Sequence, residues 1–247
     1  MLKTTALPDN TRHLFEKIRF NPALTDFTLV GGTAMSLQVG HRSSMDLDFC
    51  TFDEQLPSYK VNHFIQSLKD AGHQVFDATE PNQKAQFKIN SGKNLDDYAR
   101  DYVVDGVKVT FFAYEAPNKT KAFLASQDVY TQLASFKVMS LKGLFATKSL
   151  VLEKRSKSRD LFDLWYLIDK VGFSIDDMFD IIECYSDSGL IDQSIYVLTG
   201  ELPIDEKMDE GLDVVKVEMR LETLYVFFEE AISKYQQIKS EESFLVD

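Results

Sequence analysis

The sequence predicts an α+β fold: a mixed sheet with flanking helices, followed by a mainly helical C-terminal domain. Three observations predict it. Short apolar runs punctuated by turn residues fill roughly the first 115 positions. The dipeptide Asp105-Gly106 sits between two β-branched runs, the strongest short-range hairpin signal. From Ser140 onward the apolar residues recur at helical spacing.

Taken in order, residues 10–19 form a short helix with Leu14, Ile18 and Phe20 on one side. Phe27-Thr28-Leu29-Val30 is a compact strand stopped by Gly31-Gly32, and a short helix over 33–39 ends at Gly40. From Met45 to Phe49 the chain alternates Met45, Leu47 and Phe49 with Asp46 and Asp48. Period two makes this a strand whose carboxylates share one face. Residues 58–71 read as an amphipathic helix carrying Val61, Phe64, Ile65 and Leu68, closed by Gly72. Strands follow over 74–78 and 85–89, and over 102–104 joined to 107–114. Ser140, Ser158 and Ser174 each precede an apolar-periodic run as N-caps, and Asp177 stands at capping-box spacing from Ser174. Pro117-Asn118-Lys119 interrupts the strand pattern. The expected domains are therefore 1–120, an α+β core, and 121–247, helical. Trp165 and the pairs Phe111-Phe112 and Phe227-Phe228 read as core.

The 247 residues are 44% hydrophobic, enough for a real core, which excludes disorder over most of the chain. Lys and Arg number 27 against 39 Asp and Glu, a net charge of −12 that excludes a general nucleic-acid coat. Locally the balance reverses. Between 131 and 160 stand Lys137, Lys142, Lys148, Lys154, Arg155, Lys157 and Arg159 against only Glu153 and Asp160. The acids Asp176, Asp177, Asp180, Glu183, Asp205, Glu206, Asp209 and Glu210 read as a solvated helix face, or as a partner-docking or nucleic-acid-repelling surface. Two cysteines, Cys50 and Cys184, imply no disulfide framework and a reducing compartment. No apolar run approaches the roughly 18 residues of a membrane span. The N-terminus has no continuous apolar stretch of the secretory kind. The expectation is a soluble, cytoplasmic protein with no membrane partner.

Three stretches carry chemistry. A strand running into Gly31-Gly32-Thr33 and a helix places backbone N–H groups where a phosphate can approach closely. Asp46 and Asp48, one residue apart on a strand, form an oxygen-rich grip on a divalent cation such as Mg²⁺. Lys148, Arg155, Arg159, Asp160 and Asp163 cluster around a polar break between two helices; the cations suit phosphates. There Asp160 would accept a proton or align Lys148, and Asp163 would fix Arg159 or cap neighbouring backbone. The four histidines show no metal-ligand spacing, and Cys50 has no histidine partner.

The segments Val30-Gly31-Gly32-Thr33-Ala34-Met35, then Gly40-His41-Arg42 through Ser44, Asp46 and Asp48, then Lys148, Arg155, Lys157, Arg159, Asp160 and Asp163 together resemble the AbiEii/AbiGii nucleotidyltransferase toxin family. The likeness runs over about residues 27–167. It implies a DNA polymerase β-like nucleotidyltransferase core with an added helical domain, whose 148–163 segment completes the active site. It also implies toxin–antitoxin or antiviral biology with a cognate antitoxin. Carried over by position, Gly31, Gly32 and Thr33 contact the triphosphate of an NTP, and Asp46 and Asp48 ligate the metal. Lys148 matches the lysine that binds phosphates and Asp160 the essential late aspartate; Arg42, Ser44, Arg155 and Arg159 are matched too. One departure concerns a third carboxylate, which the wider superfamily places on a later strand. In Val107-Lys108-Val109-Thr110-Phe111-Phe112, Thr110 stands at that place. Asp160 would then be the base, or the site would run with reduced activity or bind NTP without turning it over.

The expected function is Mg²⁺-dependent transfer of NMP from an NTP to an acceptor hydroxyl of tRNA or another RNA, with no DNA role. Two alternatives stand beside it. One is an aminoglycoside-like small acceptor, which the −12 charge would suit. The other is a weakened NTP-binding module working through a protein partner.

Overall fold

Among the described residues seven short strands pair into one sheet: β1 (Thr28–Val30), β2 (Leu47–Thr51), β3 (Val75–Asp77), β4 (Ala99–Val104), β5 (Val107–Ala113), β6 (Val129–Tyr130) and β7 (Lys137–Met139). The computed structural model describes residues 2–131, 134–186, 191–204, 209, 211–213, 215 and 219–244, without the side chains of 243 and 244. Two compact units result, Met1–Leu144 and Phe145–Asp247.

In the first unit the sheet order is β3-β4-β5-β2-β1-β7-β6. It is mixed: β1 runs antiparallel to β2 and parallel to β7, while β2 and β5 are parallel. β6 and β7 lie beyond residue 120, in a stretch where the sequence shows no strand pattern. The Asp105-Gly106 turn is made as expected. Asp105 has φ 48° and Gly106 φ 82°, the paired positive values of a two-residue hairpin turn. The turn sets Val104 opposite Val107 and, counting back, Asp101 opposite Thr110.

Helices α1 (Asp9–Ile18), α2 (Gly31–Val39), α3 (Ser58–Asp70), α4 (Pro81–Ser91) and α5 (Asn118–Ala125) belong to the same unit. Its core is phenylalanine-rich. Phe111 stacks on Phe49 with centroids 5.4 Å apart and meets Phe27 and Phe64 edge-on at 5.0 and 5.5 Å. Such pairs contribute about 0.5–1.5 kcal/mol each beyond burial.

Several local expectations are corrected. Residues 85–89 are not a strand but the middle of α4, which Pro81 opens and Gly92, at φ 71°, closes. None of α4 is buried, so its alternating apolar residues had no sheet to face. Met45 is 49% exposed and precedes the strand, whose buried face begins at Leu47. Phe20 lies past the end of α1, exposed, with Arg19 4.7 Å above its ring. Ser158 is the first residue of its helix rather than the cap; Lys157 precedes it, and the buried Ser158 Oγ makes no hydrogen bond.

The second unit is helical. α6 (Leu141–Val151) supplies its first residues, followed by α7 (Ser158–Tyr166), α8 (Ile175–Tyr185), α9 (Asp192–Thr199) and α10 (Leu221–Phe244). Leu224, Phe228 and Ile232 form the buried stripe of α10, which packs on α7, α8 and α9. On α8, Met178, Phe179 and Ile182 turn inward while Asp177, Asp180 and Glu183 stay exposed, a solvated acidic face. Asp205, Glu206 and Glu210 lie outside the described residues. Ser174 caps α8 as expected: its Oγ accepts from the Asp177 N–H at 3.0 Å, and Asp177 accepts in return from the Ser174 N–H at 3.3 Å. Ser174→Ala should destabilise the chain by about 1 kcal/mol, read as a shift in urea midpoint.

Candidate active site

Val30 leads directly into α2, whose first residue is Gly31 at φ 71°. The helix therefore begins at the glycines, not after them. A Cβ on Gly31 would stand 2.9 Å from Asp48 Oδ2, and one on Gly32 would stand 2.3 Å from Arg42 Nη2. The two glycines thus admit an aspartate and an arginine to the N-terminal turn of one helix. Asp48 gets there through register, because it pairs with Val30 across β1 and β2.

The loop that carries Arg42 is strapped to the same helix. Thr33 Oγ1 donates to the Asp46 carbonyl and accepts from Ser44 Oγ at 2.9 Å, and Ser36 Oγ donates to the Arg42 carbonyl at 2.9 Å. Thr11 of α1 fixes the Met45 carbonyl at 2.8 Å. Arg42 and Ser44 are buried, so the guanidinium is held and not left to sweep solvent. Thr33 and Ser44 therefore build the loop, and Arg42 lies against the N-terminal turn of α2.

Asp46 and Asp48 flank the fully buried Leu47, so both carboxylates leave the core side. Burial and the Asp48 charge push the Cys50 thiol up to about 12, which makes it inert as a nucleophile. Among the described residues no group of three or more His, Cys, Asp or Glu is arranged to hold a metal. Two neighbouring carboxylates nevertheless suit Mg²⁺, which is bound through one or two carboxylates with substrate phosphates and water completing its shell.

Next to Asp48 on β5 stands Thr110, and next to Thr110 on β4 stands Asp101. Asp101 was not among the residues singled out from the sequence. Its signal was present, since the two-residue turn fixes the register from which its position follows.

The second unit gathers a different set. α6 presents Lys148 and α7 presents Asp160 and Asp163. The Lys148 ammonium pairs with Asp160 and, at 2.8 Å, with Asp163 Oδ2. Arg155 Nε reaches the other Asp160 oxygen at 2.9 Å. Burial raises the Asp160 carboxyl, but Lys148 and Arg155 together outweigh it and hold the group below the usual carboxylate range. Asp160 thus aligns Lys148 and is a poor proton acceptor. Asp163 pairs with Lys148, and Arg159 Nε donates to the Gly211 carbonyl at 3.2 Å.

A protein-family model described as nucleotidyl transferase AbiEii toxin of a type IV toxin–antitoxin system matches residues 12–225. A protein of Aquifex aeolicus described as uncharacterized is 26% identical over 178 residues, 72% of this chain and 74% of that one. The crystal structure of JHP933 from Helicobacter pylori superposes with TM-score 0.50 at 18% identity, over 100% of both chains. A second Helicobacter pylori structure, described as a candidate nucleotidyltransferase, gives TM-score 0.50 at 19% identity over 93% of this chain and 96% of that one. These two likenesses are of fold.

Proposed function

Because the chain belongs to the AbiEii nucleotidyltransferase toxin family, we propose that it transfers NMP from an NTP to a hydroxyl of RNA, with Mg²⁺ held by Asp46 and Asp48. The observation that carries this reading is the meeting of Asp48 with Gly31 at the N-terminus of α2. It joins a cation-binding carboxylate to an anion-binding helix end, the pairing that a metal–triphosphate substrate requires.

Each group then has its own role. N–H groups of Gly31, Gly32 and Thr33 receive phosphate oxygens, helped by the α2 dipole. The Arg42 guanidinium adds a fixed positive charge beside Gly32. When bound on Asp46 and Asp48, Mg²⁺ supplies Lewis-acid neutralisation of the phosphates. Lys148, held by Asp160 and Asp163, is the phosphate-binding ammonium of this reading, with Arg155 and Arg159 as neighbouring cations. The acceptor oxygen attacks the α-phosphorus and pyrophosphate leaves. No described helix is long and apolar enough to cross a membrane. Membership in a type IV toxin–antitoxin family implies an antitoxin partner.

RNA is favoured as acceptor by the loop between α6 and α7, which exposes Lys154 and Arg155 on an otherwise acidic chain. Incubation with α-labelled NTP, Mg²⁺ and either bulk tRNA or an aminoglycoside should put label on the RNA. Label on the amino sugar alone would replace this acceptor with a small molecule.

Gly32→Ala offers a sharper test of the phosphate subsite. Its Cβ must displace Arg42, which costs the site a charged hydrogen bond of about 1.5–3 kcal/mol. Mg²⁺–NTP affinity in calorimetry should fall by roughly 10- to 100-fold.

A further inference from the structure

Attack by a hydroxyl on phosphorus releases a proton, and the chain must provide somewhere for it to go. Asp46 and Asp48 are committed to a cation in the nucleotidyl-transfer reading, and Asp160 is engaged by two cationic side chains. We propose that Thr110 and Asp101 form a two-residue proton relay for the acceptor hydroxyl, Thr110 touching the hydroxyl and Asp101 receiving the proton through it. This rests on the nucleotidyl-transfer reading and adds the groups that activate the acceptor.

The relay is built into the sheet. Asp48 on β2, Thr110 on β5 and Asp101 on β4 occupy one row across three neighbouring strands. In-register neighbours share a face, so all three lie opposite the Phe49 and Phe111 face that packs against Phe64. Strands lie about 4.8 Å apart, so Thr110 is one step from Asp48 and Asp101 two steps, about 10 Å at the backbone. A hydroxyl brought to the Asp48 end of the row meets Thr110 before Asp101.

Hydrogen-bond direction then decides what Thr110 can do. Its Oγ1 donates to Asp101 Oδ1 at 2.8 Å. A hydroxyl has one proton and two lone pairs, so with its proton given to Asp101 its lone pairs remain to accept another. Further contacts hold Asp101 in place. Lys108 Nζ lies 3.3 Å from its Oδ2, and its own N–H donates to Thr79 Oγ1 at 3.0 Å. A cleft of about 400 Å³ lined by Gln83, Gln86, Phe87, Asn90 and Asp101 opens at the Asp101 end of this row, where the received proton can pass to solvent.

The step balances. The acceptor proton moves to Thr110 Oγ1 as the Thr110 proton moves to Asp101 Oδ1. The electron pair left on the acceptor oxygen forms the new bond to the α-phosphorus. The bond from the α-phosphorus to the bridging oxygen breaks, and pyrophosphate leaves with that pair. Asp101 ends neutral and returns its proton to solvent.

The test uses the full chain with Asp101→Asn, Thr110→Val, and the double variant Thr110→Asp/Asp101→Asn. Rates of labelled transfer are read beside Mg²⁺–NTP affinity by calorimetry. Each single variant should lose about 100-fold in kcat, the scale of general-base catalysis, while binding NTP as the wild type does. The double variant, with a carboxylate placed directly at position 110, should recover most of the loss. A single variant that transfers at the wild-type rate, or one that loses NTP binding along with transfer, overturns the relay. So does a double variant that binds NTP but transfers no better than Asp101→Asn; should it not fold, the two single variants decide. Wild-type protein that binds NTP yet transfers nothing overturns the underlying reading itself, a result distinct from any of these.

Discussion

Lys148→Ala should destabilise the chain by about 3–5 kcal/mol, because it removes one partner of a buried ion cluster. The Lys148 side chain is 9% exposed, and its two partners, Asp160 and Asp163, are 2% and 0% exposed. Without the ammonium Asp160 keeps Arg155, while Asp163 loses the Lys148 pairing inside the helical unit. Arg155→Ala is the contrast. That side chain is 51% exposed, so its loss should cost about 1 kcal/mol or less. Urea denaturation of the two variants reads the difference. Acid should act on the same cluster. The Asp160 carboxyl is held below its ordinary value of 3.8, so its contribution is fully present above that value and is lost as pH falls through the lower, folded one. Asp160→Asn should therefore be less stable at neutral pH and should flatten the acid limb of the stability curve. Because the cluster supports the fold and also holds the proposed phosphate-binding lysine, any loss of activity in Lys148→Ala must be read beside its denaturation midpoint.

Asp48→Ala should remove at least about 100- to 1000-fold of the transfer rate, the scale on which a charge-stabilising group is lost from an active site. Here stability should change little. Asp48 is half-buried at the sheet face beside the helix end, and the strand around it is held by Phe49 and its register with Val30 and Thr110. Asp48→Asn keeps the shape but removes the charge and exchanges one acceptor oxygen for an NH2 donor. It should be nearly as inactive as Asp48→Ala, with circular dichroism and melting unchanged. An active Asp48→Asn variant would mean that the carboxylate does not serve as a cation ligand.

Local signals were read well wherever the backbone itself demanded a residue. Gly31-Gly32 marks a turn whose glycines admit Asp48 and Arg42, and Asp105-Gly106 supplies two positive φ angles. The cluster of Lys148, Arg155 and Asp160 was legible as a charged break between helices. That Lys148 and Arg155 converge on one buried carboxylate depends on the tertiary fold, which brings both cations to Asp160. What failed had a common cause. Over five residues, the apolar positions of 85–89 fit a strand as well as an exposed helix, and Pro81 with Gly92 decided for the helix. β7 joins the sheet through parallel pairing with β1, far back in the chain, which no local pattern reveals. Asp101 was missed because β4 was expected to begin at 102; extending the strand to Ala99 brings it opposite Thr110.

The most direct measurement is pyrophosphate release from each NTP in turn, with Mg²⁺ and bulk tRNA, wild type beside Asp48→Ala. The expected result is release that requires the RNA, selects among the NTPs and disappears in the variant. Mg²⁺–NTP binding without any release, or release that persists in Asp48→Ala, would contradict it.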